Sequence, residues 1–248
     1  MQRLEMIIGA RFCGPPDSGN GGYTAGCLAH HLGGVAEITL RSPPPLDREL
    51  EVHVAHDCAE LRDGETLIAE GRQGGLDLKP PAAPSFEQAL TLAEHYVGFK
   101  KHNFPGCFVC GPARAVGDGL RIFPGCDEPT KLVAAPWIPH PNLADPDGVV
   151  RPEFMWAALD CAGYFAVAAP DYPNALLGRM TAELRGPIRP NDRCVVVGWP
   201  LAREGRKLYA GTAIYDQSGE LRGRAMQTWI AIARVTSRPP PAPPPSMR

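Results

Sequence analysis

Hydrophobic and polar positions divide the chain into two similar successions. Strand-like runs bounded by turn residues occupy residues 35–41, 49–56, 58–62 and 65–73, and again 176–185, 194–201, 207–215 and 221–235. Each set of four follows a helical stretch. The first, Gly21 through Ala29, is made largely of small residues. The second, residues 152–169, is apolar on every side: Phe154, Trp156, Ala157, Leu159, Ala162, Phe165 and Val167 leave it no polar face. A helix of that kind has to be buried all round, and a curved sheet folded about it supplies the burial.

The order of one helix and then four strands therefore occurs twice, and local matches follow the same order. Leu40-Arg41-Ser42-Pro43 resembles Leu184-Arg185-Gly186-Pro187, and Asp47-Arg48 resembles Asp192-Arg193. Asp63-Gly64-Glu65 and Ser218-Gly219-Glu220 are hairpin-turn signals at corresponding places. The reading is a duplication of an α+β unit, residues 1–80 and 106–236, joined by a linker over 81–105. Within the linker, Ser85 and Gln88 have capping-box spacing, and Phe86, Ala89, Leu90, Ala93 and Val97 recur at helical spacing before Gly98. Proline supplies 28 of the 248 residues, and six of the last ten. Residues 237–248 are expected to form an extended proline-rich tail.

Composition narrows the function classes. Twenty-five Lys+Arg against 27 Asp+Glu give a net charge of −2, which argues against a nucleic-acid partner. With 44% apolar residues the chain can build a sizeable core. No uncharged apolar run reaches the roughly 18 residues of a membrane span. The start of the chain, with Arg3, Glu5 and Arg11, lacks the pattern of a signal peptide. Eight cysteines are too few for a disulfide scaffold, so the expectation is a cytoplasmic protein with reduced thiols.

Three segments carry a resemblance to the hotdog-fold acyl-CoA thioesterases of the phenylacetate-pathway type. Cys107-Phe108-Val109-Cys110-Gly111-Pro112, followed by Gly119-Leu120, resembles a stretch found in many of them. Asn20-Gly21-Gly22 resembles the family's glycine helix start, and Val150 through Asp160 resembles the same helix carrying the family's acid, seven residues past the second glycine position. The resemblance implies a tandem double hotdog, two curved antiparallel sheets each wrapping a central helix. It also implies an acyl-CoA substrate and a composite site between the halves; whether such pseudo-dimeric chains assemble further as homo-oligomers is left open by the sequence. The departures are informative. Ala29 stands where the first half would carry the acid, and Pro152 and Glu153 replace the glycines of the second. Pro152 has no N–H to donate. One half keeps the helix start and the other keeps the acid.

Thioester hydrolysis needs a donor for the developing oxyanion and a group that activates or delivers the nucleophile. The Gly22 N–H is the expected donor, seconded by Tyr23 N–H, with Asn20 as the helix cap and Gly21 beside the substrate. Asp160 is the expected general base or nucleophile; the sequence leaves both open. A thiol of pKa about 8.5 leaves without a strong acid. Tyr23, Tyr164 and Trp156 are candidates for the acyl pocket, and Glu153 is a reserve acid. Arg179, with Arg185, Arg189, Arg206 and Lys207, is a candidate for the phosphates of coenzyme A. A hotdog protein that binds such a ligand without turnover is the rival reading. No cofactor is expected, and no metal either. Cys107-x-x-Cys110 has no second pair at finger-like spacing, and Cys126 and His102 match no known spacing.

Overall fold

In the computed structural model, which describes residues 2–168 and 174–232, all eight expected strands form near their expected bounds. The proline-rich segment 237–248 lies outside the described residues. In chain order the elements are β1 (Gln2–Ile7), α1 (Gly21–Ala29), β2 (Ala36–Leu40), β3 (Glu49–Ala55), β4 (Cys58–Asp63), β5 (Thr66–Gln73) and α2 (Phe86–Ala93). There follow β6 (Gly125–Asp127), β7 (Leu132–Trp137), α3 (Pro152–Ala158), α4 (Cys161–Val167), β8 (Ala175–Leu184), β9 (Cys194–Glu204), β10 (Lys207–Tyr215) and β11 (Leu221–Ala231). The strands β1, β6 and β7 are additions to the sequence reading. β7 carries Pro136, which pairs with Val195 on one side and lies past the end of β6 on the other, where no ladder bond is needed.

The strands form one antiparallel sheet in the order β1-β3-β4-β5-β2-β8-β11-β10-β9-β7-β6. This corrects the expectation of two separate sheets. β2 pairs with β8 from Ala36↔Ala182 to Thr39↔Arg179, and that ladder joins the halves. Outward from the junction the order is β2-β5-β4-β3 on one side and β8-β11-β10-β9 on the other, the same succession of strands in each half. Alternate residues of the strands serve two layers. Val133, Ala135 and Val196 point into the main core, while Ala134, Val195, Val197 and Ala213 point to the opposite face, against Ala89 of α2. The capping box forms as expected: the Gln88 N–H donates to Ser85 Oγ (3.1 Å) and the Ser85 N–H to Gln88 Oε1 (2.8 Å). The helix stops at Ala93 rather than continuing to Val97, because Tyr96 turns into the core and its hydroxyl donates to the Cys110 carbonyl (2.9 Å).

The single apolar helix expected over 152–169 is instead two, α3 and α4, broken at Leu159–Asp160. A helix break inside a core exposes carbonyls that need donors. Gln227 of β11, 1% exposed, supplies one: its Nε2 donates to the carbonyls of Leu159 (2.6 Å) and Asp160 (3.2 Å). Trp229 Nε1 in turn donates to Gln227 Oε1 (2.8 Å). The break turns α4 away from α3, so that α3 packs on α1 while α4 lies over β9, β10 and β7.

The small residues of α1 permit a close crossing with α3. A Cβ at Gly26 would sit 2.7 Å from both the Glu153 Cα and the Trp156 Cβ. One at Gly22 would sit 2.6 Å from the Asp160 Cβ and 2.8 Å from the Trp156 carbonyl. Gly26→Ala is expected to destabilise the chain by about 1–3 kcal/mol through overpacking, despite the better helix propensity of alanine. In urea titrations of both variants, Gly75→Ala, whose Cβ meets nothing within 4 Å, should fall within about 0.5 kcal/mol of wild type. Gln227→Leu is expected to cost about 1–3 kcal/mol by leaving the Leu159 carbonyl and the Trp229 indole unpaired. An unchanged urea midpoint in Gln227→Leu would show that the glutamine does not hold the break.

Candidate active site

Asn20 caps α1: with extended backbone angles (φ −61°, ψ 133°), it accepts the Tyr23 N–H on its side-chain oxygen (2.9 Å). Its amide nitrogen faces the other way and donates to Asp160 Oδ2 (2.7 Å). The Gly22 N–H donates to the same oxygen (3.0 Å). The helix start of the early half and the acid of the late half therefore meet, although 140 residues separate Asn20 from Asp160. Asp160 is 2% exposed, and its second oxygen, Oδ1, is buried with no hydrogen-bond partner among the described residues. Burial pushes the Asp160 carboxyl up to about 7, against the two hydrogen bonds that favour its charged form.

This junction forms part of the wall of a cavity of about 730 Å³, bounded by the turn before α1, the segment after β2, the loop from Lys101 to Cys110, α4 and the start of β8. That volume falls in the range of small-molecule sites. Asn20, Gly21 and Asp160 all line it. Gly22 stands just behind, pressed against Asp160. Its amide and that of Tyr23, both assigned from the sequence to an oxyanion, are turned to Asp160 and Asn20 instead. Gly21 lines the cavity, and its amide, the remaining one of the first turn, donates to no other group among the described residues.

Apart from Tyr164, the structure places the other expected binding residues elsewhere. Tyr23 stacks on Phe12 with ring centroids 4.2 Å apart, inside a cluster with Phe108 and Phe154. Trp156 is buried against the α1 crossing. Glu153, at the start of α3, pairs with Arg151 (3.3 Å) and backs onto Gly26. Arg179 lies at the β2–β8 junction, its Nε donating to Thr39 Oγ1 (3.1 Å), in a separate polar recess with Glu37 and Arg72. Arg185, Arg189, Arg206 and Lys207 are likewise not among the residues lining the cavity. Its cations are Lys101 and Arg41, the latter paired with Glu70. Tyr164 does line it.

Sequence reasoning also missed a sulfur cluster beside Asp160. Cys107, Cys110 and Cys161 are all buried, line the cavity and bring their Sγ atoms within 4.8 Å of one another. His102 Nε2 lies 3.4 Å from Cys110 Sγ. The Cys107 thiol is pushed well down by hydrogen bonds from the Cys110 and Cys161 thiols and by the backbone N–H groups of Cys110 and Val109, against its burial. The available signals were the adjacency of Asp160 and Cys161 and the Cys107-x-x-Cys110-Gly111 turn.

No family model matches the chain, and no curated protein matches it by sequence. Solved structures do match. A thioesterase candidate from Novosphingobium aromaticivorans is 12% identical, with a TM-score of 0.60 over 93% of this chain and 95% of that one. A candidate thioesterase II from Thermobifida fusca is 13% identical, with a TM-score of 0.59 over 94% and 93%. A protein of unknown function with a hot dog fold from Alicyclobacillus acidocaldarius is 9% identical, with a TM-score of 0.59 over 94% of each chain. Likeness across nearly the full length of both chains, with a helix-backed antiparallel sheet, identifies this α+β architecture as the hotdog fold.

Proposed function

We propose that this chain is a tandem double hotdog that hydrolyses an acyl-CoA thioester to the free acid and CoA in the cavity between its halves. The repeated strand order on either side of the β2–β8 junction supports reading 1–80 and 106–236 as the two units, with 81–105 as linker. One observation carries the functional reading. A buried carboxylate on a residue that lines the cavity is fixed through Oδ2 by Gly22 and Asn20, while its Oδ1 has no partner among the described residues. A structural carboxylate is normally bonded through both oxygens, because burying an unsatisfied one costs several kcal/mol.

In this reading a water between Asp160 Oδ1 and the thioester gives its proton to the carboxylate as its oxygen attacks the carbonyl carbon. Negative charge develops on the carbonyl oxygen, which meets the Gly21 N–H and the positive end of α1. The C–S bond then breaks and the CoA thiolate leaves without needing a strong acid. Gly22 and Asn20 act as positioning residues: they hold the carboxylate plane so that Oδ1 faces the substrate. Lys101 stands at the cavity as a cation for the CoA phosphates.

Release of free thiol from short, long and aromatic acyl-CoA esters tests the reading. Wild type should turn over at least one class, and Asp160→Asn should lower kcat by about 10²- to 10⁴-fold. Its urea-unfolding stability should stay within about 1 kcal/mol of wild type, since the amide oxygen can still accept from Gly22 and Asn20. A wild type that binds CoA esters but releases no thiol would favour the non-catalytic carrier instead. Lys101→Ala is expected to raise KM with kcat unchanged; a fall in kcat at constant KM would place the phosphates elsewhere.

A further inference from the structure

We propose that Cys107, Cys110 and Cys161 bind one zinc ion through three thiolates, with the fourth coordination position open to the cavity beside Asp160. The inference does not depend on the hydrolase reading.

Distance is the first argument. Tetrahedral zinc with Zn–S bonds of about 2.3 Å sets its sulfur ligands about 3.8 Å apart. The Cys107 and Cys161 sulfurs are 3.8 Å apart, and all three lie within 4.8 Å of one another. A disulfide would need them at about 2.05 Å.

The second argument is the turn that carries two of the ligands. Along Cys107-Phe108-Val109-Cys110-Gly111 the chain folds back and brings the Cys107 and Cys110 sulfurs within 4.8 Å of each other, on two residues that both line the cavity. The Gly111 N–H closes the turn on the Cys107 carbonyl (2.9 Å). No side chain fits at its end: a Cβ on Gly111 would lie 2.5 Å from the carbonyl oxygens of Pro105 and Cys107. Two cysteines three apart on one tight turn have the ligand spacing of many zinc sites.

His102 supplies the third argument. Its Nδ1 accepts the Phe104 N–H (2.9 Å), so in the neutral ring the hydrogen sits on Nε2, 3.4 Å from the Cys110 sulfur. The imidazole thus donates to a ligand sulfur rather than ligating the metal itself, the usual support that a second layer gives a metal site. Among the described residues no other Cys, His, Asp or Glu places a ligand atom within the cluster. The fourth position is left to water or to a ligand entering the cavity that the three cysteines line. Three sulfur donors select zinc over magnesium or calcium. On binding, three thiols lose their protons to solvent and three Zn–S bonds form, with no change of oxidation state.

The test uses the full-length reduced protein and the metal alone. After equilibration with zinc and gel filtration, elemental analysis should find about one zinc per chain. Cobalt added to chelator-stripped protein should give the sulfur-to-cobalt charge-transfer absorption and the intense visible bands of a tetrahedral thiolate site. Cys161→Ser and Cys110→Ser should lose both signals, while Cys194→Ser, a buried cysteine of β9 outside the cluster, should keep them. His102→Phe should weaken zinc binding about 10- to 100-fold without changing stoichiometry. If the ligand variants do not fold, the wild-type cobalt spectrum decides alone. Reduced wild type that retains no stoichiometric metal, a cobalt spectrum without thiolate bands, or a Cys107–Cys161 disulfide found by peptide mapping would each overturn the proposal.

Discussion

A single carboxylate oxygen joins the two ends of this fold. Asp160 Oδ2 accepts from the Gly22 backbone and the Asn20 side chain, and both donors sit at the first turn of a helix formed 140 residues earlier in the chain. For that contact to exist, α1 and α3 must cross closely, which the glycines at 22 and 26 allow. The later helix must also break, so that Asp160 stands at the start of α4, with its side chain turned away from that helix, instead of continuing α3. The break in turn needs Gln227 beneath it to take up a freed carbonyl. Two hydrogen bonds to one oxygen do not offset the full cost of burying a carboxylate whose other oxygen is bare. The molecule keeps that unfavourable arrangement at the wall of its large cavity, where an unpaired lone pair has chemical use.

The surrounding architecture makes the contact rigid. Because β2 pairs with β8, the halves share a continuous sheet and cannot rock about a hinge at that ladder without breaking backbone hydrogen bonds. The repeated strand order then sets α1 and α3 face to face, which brings each helix start against the body of the other. The two junctions are unequal. One pairs Asn20-Gly21-Gly22 with Asp160; the other offers Pro152, which has no amide hydrogen, and Glu153, which pairs with Arg151.

Much of this was legible from residue order. The eight strands on either side of the β2–β8 junction followed from hydrophobic runs between turn residues, and the capping box at Ser85 from two side chains three apart. Asn20 and Asp160 stood out because a small-residue helix start and an acid among apolar neighbours each call for a reason. The break at Asp160 was hidden because its support, Gln227, comes from a strand late in the chain. β6 is a three-residue edge strand with no hydrophobic signal of its own, whereas β1 carries an Arg3-Leu4-Glu5-Met6 alternation that was readable as a strand and was passed over. Tyr23 and Trp156 were misplaced because an aromatic on an apolar helix reads the same whether it packs in the core or lines a cavity. The sulfur cluster escaped for the same reason as the break: spacing along the chain pairs Cys107 with Cys110, but only the fold adds Cys161.

The most direct test of the composite site is a crystal structure with a hydrolysis-resistant thioether analogue of an acyl-CoA. The account predicts the analogue in the 730 Å³ cavity, its reacting carbon between Asp160 Oδ1 and the Gly21 amide and its phosphates toward Lys101. An analogue bound outside this cavity, or within it with the reacting carbon remote from Asp160, would contradict it.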